Sequence, residues 1–136
     1  MTIFSAHGKL ALTIVGNIIY LEAQGPWNME FIGNLHKQLL WAVTQVDQSN
    51  YGVLFTPKGE AISVEPGLEY HINFIRQGNT QAIALNLAHC TTPLLTENLF
   101  SKLYRTANIN HAFFDHAFEA KTWLDAELNA VTAITP

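Results

Sequence analysis

Charge is scarce in this chain. Lys, Arg, Asp and Glu make up 13% of its 136 residues, about half the share usual in a soluble domain. The basic residues form no cluster and the formal net charge is −4. That argues against a nucleic-acid partner, since phosphate binding needs a Lys/Arg footprint. Cysteine occurs once, at Cys90. An intramolecular disulfide is thereby excluded, which fits a reducing cytoplasm. Long apolar runs are missing too: none reaches the length of a membrane-spanning helix. Lys9 is the only basic residue before Leu10, so the N-terminus makes a poor signal peptide.

Catalytic signatures are equally thin. There is no Gly-x-Ser-x-Gly elbow, phosphate loop or Gly-x-Gly-x-x-Gly fingerprint. The histidines His7, His36, His71, His89, His111 and His116 contain no His-x-x-x-His pair and have no paired cysteines to join. No metal site is expected from that spacing, and most of these side chains read as surface or locally hydrogen-bonded. His89 and Cys90 are sequence neighbours on a strand end and so point to opposite faces. Cys90 reads as an inert buried thiol; a hydrolase using Cys90 or His71 would need thiol reactivity near neutral pH. Glu60, Glu65 and Glu69 cluster where a helix starts, which the helix dipole alone explains. No catalytic residue is assigned.

What the chain does have is apolar residues, 49% of the total. At this length they suffice for one domain with its own core. They also leave apolar surface over for a ligand, a protein partner, a contact between copies in a homo-oligomer, or a membrane surface.

Their spacing sets the architecture. Leu10–Val15 and Ile18–Gln24 alternate with period two around Gly16-Asn17 and predict a hairpin. Gly25-Pro26 stops the second strand, and Asn28 is placed to cap a helix running to about Gln45. Phe31, Ile32, Leu35, Leu39, Val43 and Val46 form its apolar stripe. Tyr51–Phe55 is apolar on consecutive positions, as a strand buried on both faces should be. A loop with Pro57, Lys58 and Gly59 leads to a second helix, about Ser63–Gln77, ended by Gly78-Asn79. Val64, Leu68, Ile72 and Ile75 make its core stripe. Ala82–Ala88 predicts a fourth strand. Thr92-Pro93 opens a third helix, with a capping hydroxyl before proline and Leu95, Leu99 and Leu103 as core, to about Thr106. Ala112–Phe114 is a short fifth strand. The last helix holds Ala120, Trp123, Leu124 and Leu128, and Ala130–Pro136 is expected to fray. Strands separated by helices imply right-handed crossovers and a largely parallel sheet, with the first strand antiparallel.

The result is one α/β domain over residues 1–136 with its core at about 9–128, a mixed five-stranded sheet and about four helices in the order ββαβαβαβα. With Gly25 closing the second strand, Tyr51-Gly52-Val53-Leu54-Phe55 at the centre, Phe114 ending the last strand, and Glu119-Ala120 then Trp123-Leu124 opening the final helix, the chain from Lys9 to Leu128 resembles the SpoIIAA-like branch of the STAS superfamily. The resemblance implies a small cytoplasmic bacterial domain without a cofactor. Some STAS members are phosphorylation-switched regulators that bind an anti-sigma factor or a kinase. The SpoIIAA-like branch also resembles the lipid-carrying CRAL-TRIO domains, which hold apolar ligands under a mobile helix. The regulators carry an Asp-Ser-Ser signature at the second helix. Here Glu60-Ala61-Ile62-Ser63-Val64-Glu65-Pro66 stands instead. Ser63 is a candidate phosphosite, with helix capping as its simpler role, and no kinase or nucleotide role is carried over.

The second helix bears a second apolar stripe, Tyr70 and Phe74, beyond what one buried face needs. Phe100 and Tyr104 on the third helix match it, and Trp41 on the first adds to it. These five are the candidate ligand-binding residues, for a small apolar or amphiphilic, lipid-like molecule held between the sheet and the second and third helices. Gly59, Gly67 and Gly78 are candidate hinges for that helix. The alternative is a regulatory module that docks a protein through the 56–63 loop and the second helix. A membrane-surface helix would carry Lys/Arg on its polar face; only Arg76 is basic here, so membrane contact would be weak and peripheral at most.

Overall fold

The structure, a computed structural model, describes residues 9–61 and 65–134; of residues 65, 66 and 131–134 only the backbone is described. The hairpin is β1 (Lys9–Val15) and β2 (Ile18–Gln24), paired antiparallel so that Val15 faces Ile18. Gly16 at the turn has φ +58°, a conformation that favours glycine. Then come α1 (Met29–Val43), β3 (Gly52–Lys58), α2 (Glu65–Arg76), β4 (Ala82–Asn86), α3 (Pro93–Thr106), β5 (His111–Phe114) and α4 (Ala117–Ile134). The sheet order is β1-β2-β3-β4-β5, and β2 through β5 are parallel.

Each crossover adds the next strand on the same side of the last. Right-handed crossovers that always step in one direction place their helices on one face. Ile19, Leu21, Val53, Phe55, Ile83 and Leu85 point to that face and share a core with α1, α2 and α3. The alternate residues, Ile18, Leu54, Ala82 and Ala84, meet Ala120, Leu124 and Leu128 of α4 on the other. Both faces of β3 and β4 are thus covered, which is why those strands read as unbroken apolar runs.

Asn28 caps α1 by accepting from Phe31 N at 2.8 Å. Two glycines are fixed by close approach. A Cβ on Gly25 would stand 1.9 Å from the Glu60 carbonyl oxygen, and one on Gly52 would stand 2.7 Å from Leu124 Cδ1.

Several expectations are corrected. Strand β3 continues through Pro57 and Lys58 rather than ending at Phe55. Lys58 O accepts from Gly25 N on the β2 side, so Pro57, one residue earlier, turns its missing N–H the other way, past the last β3–β4 pair, Phe55 with Leu85. Proline costs no ladder bond there. Thr92 precedes α3 but its side chain makes no capping hydrogen bond. Helix α3 buries Thr96, Phe100 and Tyr104 instead of the leucine stripe; Leu95 is 56% exposed, and Leu99 and Leu103 are half-buried. Helix α4 runs on to Ile134, through the described part of the segment expected to fray; Thr135 and Pro136 lie outside the described residues. Gly59, one of the candidate hinges, is held on both sides: its N–H donates to His89 O at 3.0 Å and its carbonyl accepts from Thr91 N at 2.9 Å. Ser63 and Val64 lie outside the described residues.

Candidate functional site

Between the sheet and the three helices on its longer face lies a cavity of about 360 Å³. It runs along β2 and β3 from one end of the strands to the other. At its inner end Trp27, which precedes α1, meets Phe31, Phe55 and Phe100 with ring centroids 6.3, 6.2 and 6.2 Å away. Such spacing is ordinary for packed aromatic clusters. The wall then passes Ile32, Leu35 and Leu39 of α1, with Leu68 and Ile75 of α2 facing them. The rim is polar but uncharged: Gln48, Tyr51, Gln77, Asn79 and Thr80. Thr80 Oγ1 donates to Tyr51 Oη at 3.1 Å. No Asp, Glu, Lys or Arg is among the lining residues.

Of the five residues predicted from sequence, the cavity wall contains three: Phe74, Phe100 and Tyr104. Tyr104 is fully buried, and burial raises its phenol pKa well above the ordinary value. Tyr70 and Trp41 stand outside the wall, 44% and 57% exposed. Tyr70 lies one residue before His71, and the roughly 100° turn per residue swings it off the inward face. Trp41 is displaced in the same way from Ala42, which is buried. The cavity also involves α1 as much as α2 and α3, wider than the space expected.

Sequence reasoning missed Trp27 and a histidine pair. His36 Nε2 and His71 Nδ1 are 3.0 Å apart, tying α1 to α2. Both residues are buried and bonded to each other across two helices, where most histidines were expected to be at the surface or locally hydrogen-bonded. The ring of Phe74 stacks on His36 at 3.9 Å with 2° between planes, and Tyr70 meets it edge-on at 4.8 Å. Burial lowers the His36 pKa to about 4. Burial first, and His36 second, lower that of His71 to about 3. Both imidazoles are therefore neutral at pH 7. The signal was present: His36 lies four residues after Ile32 and three before Leu39, and His71 three after Leu68 and four before Ile75, so both fall within apolar stripes.

Cys90 is half-buried, its thiol 3.4 Å from Pro57 O. Burial raises its pKa, outweighing a smaller lowering influence from the nearby Thr96 hydroxyl. A raised thiol pKa means little thiolate and little nucleophilicity. No group of three His, Cys, Asp or Glu residues suited to a metal ion occurs among the described residues. No helix among them is long and apolar enough to cross a membrane.

The sheet is mixed and singly wound, with three helices on one face and one on the other. Among solved structures the chain is similar to an uncharacterised DUF3478-family protein with a SpoIIAA-like fold from Shewanella loihica PV-4: TM-score 0.64, 12% identity, covering 91% of this chain and 98% of that one. That likeness is one of fold. No family model matches the chain, and no curated protein does either.

Proposed function

We propose that this is a non-catalytic domain that binds one small apolar or amphiphilic molecule in the cavity under α1, α2 and α3. The observation that carries the reading is the cavity itself: about 360 Å³, mostly apolar along its length, with few polar groups inside and an uncharged polar rim. Ligand pockets have this make-up and are usually about 300–1,000 Å³. The volume lies near the lower bound, so a single-chain or compact ring molecule fits the proposal better than a two-chain lipid.

Native mass spectrometry tests it. Protein purified without detergent should carry an apolar adduct, or take one up from a lipid panel after solvent extraction. Phe74→Ala and Phe100→Ala should weaken retention, and Tyr70→Ala should not. Protein that carries nothing and takes up nothing refutes the reading.

A second reading, a protein-docking module, draws on the outward side of the same helices. Trp41 and Tyr70 are 57% and 44% exposed and stand outside the cavity wall. The loop expected to share in docking is shorter than its sequence suggests, since Thr56 and Pro57 are buried in β3. Alanine at Trp41 and Tyr70 separates the two: partner capture would fall while ligand retention stayed.

A further inference from the structure

The polar groups along the cavity are few and none carries a full charge. Which guest they would select rests on the reading that the cavity holds one at all. Gln77, Gly78 and Asn79 at the mouth directly succeed α2, and Val43 and Gln48 lie at and beyond the end of α1. Helix C-termini carry partial negative charge. The last turn of α1 has no basic residue to offset it. That of α2 has Arg76, but its guanidinium donates to Thr106 O at 3.0 Å and Arg76 is not part of the wall. An anion entering here would shed its hydration and meet no cation, and a cation would meet no carboxylate.

Deeper in, the histidine pair fixes a proton. One hydrogen lies between His36 Nε2 and His71 Nδ1. His36 Nδ1 is buried without a hydrogen-bond partner. Were that atom protonated, an N–H donor would be orphaned in the interior; were it bare, only a lone pair would be, and buried proteins tolerate the second more readily. His36 therefore donates from Nε2. His71 accepts at Nδ1 and keeps its own proton on Nε2. His71 lines the cavity, and the one side-chain hydrogen bond it makes among the described residues is at Nδ1, not Nε2. Trp27 also lines the cavity, and its indole N–H, which can only donate, is unpartnered. With the Tyr104 phenol, which can donate or accept, also in the wall, the apolar stretch offers mainly donors and no charge.

We propose that the cavity selects an electrically neutral, largely apolar molecule bearing a hydrogen-bond acceptor such as an ester or ketone oxygen, and that His71 Nε2–H is the donor that recognises it. His36 acts through His71, holding it in the donating tautomer.

The test is displacement of the neutral dye Nile red by a set matched in chain length: methyl laurate, dodecane, laurate and dodecylamine. One neutral hydrogen bond predicts that methyl laurate displaces the dye about three- to tenfold more tightly than dodecane. Laurate and dodecylamine should be weaker than both. His71→Phe should bring the ester and the hydrocarbon to parity while dodecane binding persists. Should that variant not fold, nitrogen-15 NMR of the wild type reads the same point: free His71 protonated at Nε2, with that resonance moving when methyl laurate is added. Equal affinity for ester and hydrocarbon, tighter binding of laurate, or an Nδ1-protonated His71 overturns the proposal and leaves the cavity's role as a ligand site standing. No binding by the dye or any of the set sinks both.

Discussion

Mild acid should destabilise this domain, chiefly through His36 and His71. Their folded-state pKa values, about 4 and about 3, lie below the ordinary 6.5. A lowered pKa means that, as pH falls, the unfolded chain takes up protons before the folded one does. The stability each pair member contributes is fully present above about pH 6.5 and is lost as pH falls toward the folded value. In that window the slope is about 1.4 kcal/mol per pH unit for each group. From pH 7 to pH 5 each imidazole should therefore remove about 2 kcal/mol, and the pair about 4. A domain of this size has about 5–15 kcal/mol in all, so the loss should be plain in a urea midpoint followed by circular dichroism near pH 7 and near pH 5. The double variant His36→Phe/His71→Leu supplies the control. It removes both titrating groups without leaving a buried partner unpaired, and its stability should change by about 4 kcal/mol less over the same interval. Equal losses in the two proteins, or imidazole resonances of His36 and His71 titrating near the ordinary value in the folded protein, would refute the reasoning.

Three further outcomes are expected. Gly25→Ala should cost about 1–3 kcal/mol or more, because the new Cβ meets a backbone oxygen at 1.9 Å, whereas Gly52→Ala meets first the movable end of Leu124 and should cost less; thermal melts of the two rank them. Cys90 should react slowly with a maleimide or disulfide reagent at neutral pH, since burial raises its thiol pKa, and a rate matching that of free cysteine would contradict this. Trp41→Ala should shift stability by no more than about 0.5 kcal/mol, as the ring is 57% exposed, while Phe100→Ala, fully enclosed among Trp27, Phe55 and Tyr104, should cost about 3–5 kcal/mol by chemical denaturation.

The order of strands and helices was legible because each element carries its own period. Strand β2 alternates, β3 and β4 are apolar throughout, and α1 repeats at three and four. Rotation of a helix is less legible. In α3 the series Leu95, Leu99, Leu103 and the series Thr96, Phe100, Tyr104 have the same spacing. Only the depth of the space beneath decides that the larger aromatic rings turn inward. Proline in β3 read as a stop because sequence shows the lost donor but not which neighbour it would have faced. Trp27 sits in Gly25-Pro26-Trp27-Asn28, a turn with no period to mark it as interior, yet it closes one end of the cavity. The two histidines were hidden by their chemistry: a polar residue within an apolar stripe looks like an interruption until a partner on another helix is known to stand 3.0 Å away.

Winding in a single direction has one more effect. A sheet that reversed would open a crevice at the reversal, where strands part and loops from both halves reach a guest. This one never reverses, so its backbone offers no such gap, and room for a guest comes from spreading helices over an unbroken floor. Occupancy would then register as slowed amide exchange in the roof alone, with the ladder beneath unchanged.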